Sequence, residues 1–236
     1  MNFAALQHSL VQNNLIYNNL AHGIASWNDR NPFDEAAVNT PPETMDEAKD
    51  PKRLPMFGCH DNVIRNNTVL MANSGRAAVL LVNGSYGARL RNNLLLNDAD
   101  ASVEVDRTSL FRLDAGRSVL GEVWYRNAPF GVASKEMMPE SLLGAMIARV
   151  DEPGSPLHLT QEKIASHLMG PSREPWVIEE SSWWKLNPQR PDFRPKKGSS
   201  LLAGAGDKSD MPASDLWGAP RKSADIGALS AEGPPP

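Results

Sequence analysis

Three segments of the chain align without gaps: VQNNLIY at 11–17, IRNNTVL at 64–70 and LRNNLLL at 90–96. Each reads apolar, polar, Asn, Asn, any residue, apolar, apolar. Such internal repetition constrains a fold more tightly than any single motif, because each copy must solve the same local problem. The second and third copies are 26 residues apart and the first two 53 apart, so the larger interval is two periods or one period plus an insert. The insert is preferred, since residues 28–60 carry no apolar strand pattern and have loop composition. Each copy is followed by a second short apolar run, GIASW at 23–27, AVLLV at 78–82 and SVEVD at 102–106. These runs are too short for helices and rich in Val, Leu and Ile, which marks strands. Strand, Asn turn, strand, longer turn, strand, repeated at about 4.8 Å per rung, winds parallel sheets into a solenoid. The Asn pairs fit the tight bends, because Asn tolerates the left-handed backbone such bends need. Stacked amides also hydrogen-bond along a coil. Asn13, Asn66 and Asn92 are therefore expected in one column.

Composition divides the chain. Of 18 Asn, 16 lie in residues 1–100, whereas 14 of 19 Pro lie from Pro129 onward. The expected organisation is solenoid coils over 1–130 with a long insert at 28–60, an irregular segment over 131–190, and a C-terminal segment over 191–236 that packs on the solenoid and ends in a frayed tail. Residues 117–126 read as one more, degraded coil. A short helix is predicted near 160–169, with Thr160 as N-cap, Ile164 and Leu168 on one face, and Gly170-Pro171 as its stop. Trp176, Trp183 and Trp184 suit either a sugar platform or packing against the main body.

Charge and length limit the partners. Lys plus Arg is 24 against 28 Asp plus Glu, a formal net charge of −4, which disfavours nucleic acid as a partner. The longest clear apolar run covers only 77–82, so no membrane span is expected. Cys59 is the single cysteine. This excludes internal disulfides and cysteine metal clusters.

With these repeats the chain resembles the right-handed parallel β-helix family of pectate-lyase-like fold. The resemblance extends to the C-terminal run DFRPKKGSS at 192–200, AGAG at 203–206, DLWG at 215–218, Arg221 and ADIGA at 224–228. These resemble the terminal segment of secreted bacterial β-helix proteins, with Ser200 in place of a usual Pro and Leu229 in place of a usual aromatic. The resemblance implies an all-β fold in which the Asn turn joins the second and third strands of a coil. The following strand then lines a substrate groove, so runs 23–27, 78–82 and 102–106 form the groove sheet and the 28–60 insert folds over it. It further implies an extracellular or periplasmic protein acting on or binding a polysaccharide or oligosaccharide. This chain shows no signal peptide and no cap before Leu10, which reads as a longer protein whose first coils are missing here.

The reaction stays open. Before Lys135 the only lysines are Lys49 and Lys52, so a lysine base on the groove sheet is not expected. The clustered aspartates of galacturonan hydrolases are also absent, and His22-Gly23 is read as a turn. Strand alternation turns Val103 and Val105 inward and Glu104 and Asp106 outward, about 6.6 Å apart along the backbone. A carboxylate pair at this spacing suits inverting glycoside hydrolysis or a calcium ion. Glu104 and Asp106 are thus the candidate catalytic pair, and the candidate metal ligands if calcium is the cofactor. Trp27, Asn28, His60, Arg76 and Arg107 flank or line the same sheet and are the candidate substrate-binding residues. A polysaccharide lyase or glycoside hydrolase and a non-catalytic glycan-binding or structural module both fit.

Overall fold

A computed structural model of the chain describes residues 1–17, 19, 21–36, 50–53, 56–71, 76–83, 85–97, 103–105, 128–129, 132–133, 167–169, 192–200, 202–206 and 208–233. The predicted coil at 117–126 and Trp176, Trp183 and Trp184 lie outside them, as do residues 160–166 of the predicted helix. His167 to Met169 form a turn, with Leu168 bridged antiparallel to Pro195.

The chain visits three parallel sheets in rotation. The first contains β1 (Asn2–Phe3), β4 (Ile24–Ser26), β7 (Val79–Leu81), β10 (Val103–Val105) and β12 (Val132–Ala133). The second contains β2 (Leu10–Gln12), β5 (Val63–Arg65) and β8 (Arg89–Arg91). The third contains β3 (Leu15–Tyr17), β6 (Thr68–Met71), β9 (Leu94–Asn97) and β11 (Ala128–Pro129). Every pairing between these strands is parallel. The described part is therefore a strand-dominated solenoid, compatible with a parallel β-helix-like repeat, and the described residues include no α-helix.

Register follows the repeat. Val11 pairs with Ile64 and Ile64 with Leu90, while Ile16 pairs with Val69 and Val69 with Leu95. One apolar residue per strand thus meets its equivalent above and below. These residues, with Ile24, Val79 and Leu81 of the first sheet, fill a continuous interior. Ile24, Val69, Val79, Leu81, Leu90 and Leu95 are fully buried. Burying each such side chain contributes about 1.5–3 kcal/mol before its entropy cost.

The Asn pairs divide two tasks. Asn13, Asn66 and Asn92 adopt φ of 55°, 49° and 53°, the left-handed bend between the second and third sheets. The amide ladder, however, runs through the following residues. Asn67 Oδ1 accepts from the Asn14 backbone N at 3.0 Å and from Asn14 Nδ2 at 2.8 Å. Asn93 Oδ1 accepts in the same way from Asn67 N at 3.0 Å and Asn67 Nδ2 at 2.9 Å. The expectation that the column of Asn13, Asn66 and Asn92 carries the ladder is therefore corrected. A left-handed residue turns its side chain out of the coil, and the next residue points its amide along the stack.

The outward amides meet the C-terminal segment. Asn13 Nδ2 donates to Ser214 O at 2.8 Å, and Asn66 Nδ2 to Asp225 O at 3.0 Å. Gly227 N donates to Asn92 O at 2.8 Å. Gly227 has φ 98°, and a Cβ there would stand 2.7 Å from Thr68 Oγ1, so only glycine allows this approach. Leu70 and Leu94, on the outer face of the third sheet, pack with Phe193, Leu202, Ile226 and Leu229 in a second apolar cluster. The third sheet buries apolar residues on both faces for this reason, which is why β6 and β9 carry consecutive rather than alternating apolar residues, Val69 to Met71 and Leu94 to Leu96.

Two aspartates hold the segment's own loops. Asp215 accepts from Trp217 N, Ala219 N and Ser230 N, and Asp225 from Gly204 N and Ala231 N. Arg221, 7% exposed, donates to Asn13 Oδ1 at 3.1 Å and to Gly227 O at 2.8 Å. Burial lowers the Arg221 pKa, and the charges of Asp215 and Asp225 oppose that shift.

Candidate functional site

A cleft of about 660 Å³ opens on the outer face of the first sheet. Its floor follows from strand alternation. Ile24, Val79 and Leu81 turn into the solenoid interior, so Ala25 and Leu80 face outward, and both line the cleft. Ala25 pairs with Asn2 on one side and Leu80 on the other. Trp27 and Val82, each the residue just past the end of its strand, continue the same stripe.

Polar groups surround this floor. The indole Nε1 of Trp27 donates to Asn2 Oδ1, fixing the ring beside the first strand. His22 Nδ1 lies 3.3 Å from Ala77 O, and His22 Nε2 lies 3.5 Å from an exposed Arg76 guanidinium nitrogen. Asn83, at φ 56°, forms another part of the wall. The described residues around the cleft thus offer an aromatic ring, an imidazole, a guanidinium and amides. They include no carboxylate.

The sequence-predicted residues distribute unevenly. Trp27 and Arg76 line the cleft. Asn28 is buried, and its Oδ1 accepts from Cys59 N across the two ends of the insert. Gly58 makes room for this closure, since a Cβ there would stand 2.6 Å from Asn28 Oδ1. His60 sits at the turn leading into the second sheet, bridged to Gln7 and Tyr86, and does not line the cleft. Glu104 lies on β10 and pairs with Leu80 on one side and Ala133 on the other. Asp106 and Arg107 lie outside the described residues.

Sequence reasoning passed over Asn2, His22 and Asn83, which also line the cleft. His22 carried a signal, since it immediately precedes the glycine that opens a groove strand. That glycine is required. A Cβ at Gly23 would stand 2.2 Å from Val69 Cγ1 and 2.7 Å from Ala78 O. Asn83 carried a signal as well, since it follows the run at 78–82 at the place Asn28 holds after 23–27, whereas Asn2 lies before the first copy of the repeat.

Comparison of the chain with protein-family models, curated proteins and solved structures finds no match.

Proposed function

We propose that the protein binds a polysaccharide or oligosaccharide along the outer face of its first sheet, as a member of the pectate-lyase-like, right-handed β-helix class. The observation that carries this reading is the cleft of about 660 Å³ with Trp27 on its apolar floor and Arg76 at its polar surround. An indole face stacks on the C–H face of a sugar ring, and a guanidinium recognises a hydroxyl pair or a uronate carboxylate. A floor built from small and aliphatic residues (Ala25, Leu80 and Val82) leaves space for an extended chain rather than a compact ligand. On the same reading the protein works outside the cytoplasm, where such polymers occur.

Binding is the part best supported, because the described walls hold no acid or base pair. Cleavage has one specific support, the position of Glu104 next to Leu80 in the first sheet. In that second reading Glu104, whose strand position is one rung beyond Leu80, and Asp106 transfer protons or hold calcium.

The test is a titration of the full chain with neutral and uronate-containing oligosaccharides, with wild type and Trp27→Ala compared. Loss of one stacking platform is expected to weaken binding about tenfold. Absence of binding to every glycan class, or equal affinity of the variant, overturns the reading. The double variant Glu104→Gln, Asp106→Asn separates the two readings: it removes cleavage and calcium binding if the pair is catalytic, and leaves glycan affinity in place.

A further inference from the structure

A second column of left-handed residues runs beside the Asn column. His8, Asp61 and Gly87 have φ of 45°, 55° and 66°, and they recur at the same 53- and 26-residue intervals. They form the turn into the second sheet. Their preceding residues Gln7, His60 and Tyr86 are joined by parallel bridges. His8 therefore lies one rung from Asp61, and the two belong to different coils.

Three metal-binding side chains converge there. The His60 ring stacks on Tyr86 at 4.8 Å with an interplanar angle of 10°. The His8 ring meets His60 edge-on at 5.0 Å. Asp61 Oδ2 lies 3.0 Å from His60 Nδ1. One ligand atom from each of His8, His60 and Asp61 lies within 4.8 Å of the others. Gly87 keeps the site open, since a Cβ there would stand 2.6 Å from Asp61 Oδ1.

We propose that His8, His60 and Asp61 bind a divalent transition-metal ion of the zinc class, which ties the first coil to the second at the base of the insert. Two imidazoles and a carboxylate suit zinc, cobalt or nickel, whereas calcium requires more oxygen ligands. Adjacent ligands bound at about 2.0–2.1 Å stand about 3 Å apart, which is the separation His60 and Asp61 already have. His60 is 8% exposed and held flat by Tyr86, so its ring plane is fixed before the ion arrives. His8 is exposed, and rotation of its ring closes the remaining gap. Three protein ligands leave the rest of the shell to water. The ion joins His8, before the insert, to His60 and Asp61 where the insert ends, across the 53-residue interval between neighbouring rungs, so it acts as a clip on a long loop.

None of the three residues lines the cleft, and the proposal stands apart from the glycan reading. It is tested on the full chain, stripped with chelator and titrated with Zn²⁺, Co²⁺ and Ca²⁺ by calorimetry, by the visible absorption of Co²⁺, and by thermal unfolding. One Zn²⁺ or Co²⁺ per chain is expected, with a rise in Tm and no comparable effect of Ca²⁺. His8→Gly and Asp61→Asn both tolerate the left-handed backbone. Each is expected to keep the metal-free Tm near wild type and to lose roughly 10–100-fold in affinity, at least the cost of losing a residue that merely orients a ligand. No stoichiometric binding to wild type, equal binding to Ca²⁺, or unchanged affinity in both variants overturns the proposal.

Discussion

Replacing Asn67 with Ala tests the physical basis of the stack. Asn67 is fully buried and sits between two equivalent amides. Its Nδ2 donates to Val11 O at 3.0 Å, Arg65 O at 3.0 Å and Asn93 Oδ1 at 2.9 Å. Its Oδ1 accepts twice from Asn14, which is half-buried, so water replaces part of that loss. Bonds of this kind contribute about 0.5–1.5 kcal/mol each, and a buried group left unpaired costs about 1–3 kcal/mol. The two Nδ2 hydrogens are shared among these three acceptors; losing them together with the Oδ1 bonds, and leaving buried acceptors unpaired, gives a loss of about 3–5 kcal/mol for Asn67→Ala. That is a large share of the 5–15 kcal/mol typical of a domain. Asn66→Gly is the contrasting change. Glycine keeps the left-handed bend, and the loss is one 3.0 Å bond to Asp225 O and a weaker one to Gly227 O, about 1 kcal/mol. Urea unfolding of both variants, with hydrogen exchange at the amides of 64–70 as a local readout, measures the difference. If Asn66→Gly costs as much as Asn67→Ala, or if Asn67→Ala stays within about 1 kcal/mol of wild type, the assignment of ladder and bend to separate residues is refuted.

Two further predictions concern the C-terminal segment. Arg221→Met removes the bonds to Asn13 and Gly227 and leaves Asp215 and Asp225 without their buried cation. It is expected to destabilise by about 3–5 kcal/mol, and Arg221→Lys is not expected to rescue it, because one ammonium cannot span the same acceptors. Equal stability of the Lys variant and wild type in thermal unfolding contradicts this. Asp192 pairs with Arg194 at 2.6 Å, and Arg194 also donates to Gly233 O. Burial alone would raise the Asp192 pKa, but the hydrogen bonds and charge of Arg194 outweigh it and hold the carboxyl below its usual range. Its stabilisation is therefore fully present above the unfolded value of about 4 and is lost as pH falls through the depressed folded value. The Tm difference between wild type and Asp192→Asn should be constant near neutrality and shrink below about pH 4. A difference that does not change with pH contradicts the ion-pair account.

The repeat made the architecture legible before any coordinates, because a parallel stack demands the same residue type at the same place in every rung. Val11, Ile64 and Leu90 announce one interior column, and Ile16, Val69 and Leu95 another. The paired asparagines likewise announce a left-handed bend, a backbone requirement that few residues meet. Alternation also assigned Ala25, Trp27, Leu80 and Val82 to the outer face, which fixes the cleft floor.

Tertiary structure decided what a local pattern cannot express. Sequence does not distinguish two adjacent asparagines, and only the packing shows that Asn66 reaches the C-terminal segment while Asn67 reaches the next rung. The column of His8, Asp61 and Gly87 has the same spacing as the asparagines but three unlike side chains, so nothing in composition marks it. It becomes visible only when the backbone brings their left-handed φ values into line. His22 and Asn2 reach the cleft from a turn and an edge strand, and their meeting with Trp27 and Arg76 depends on how successive coils stack. Hydrophobic periodicity is a property of each strand and can be read along the chain. A site is a property of neighbours from different rungs, and only the register of the wound chain brings them together.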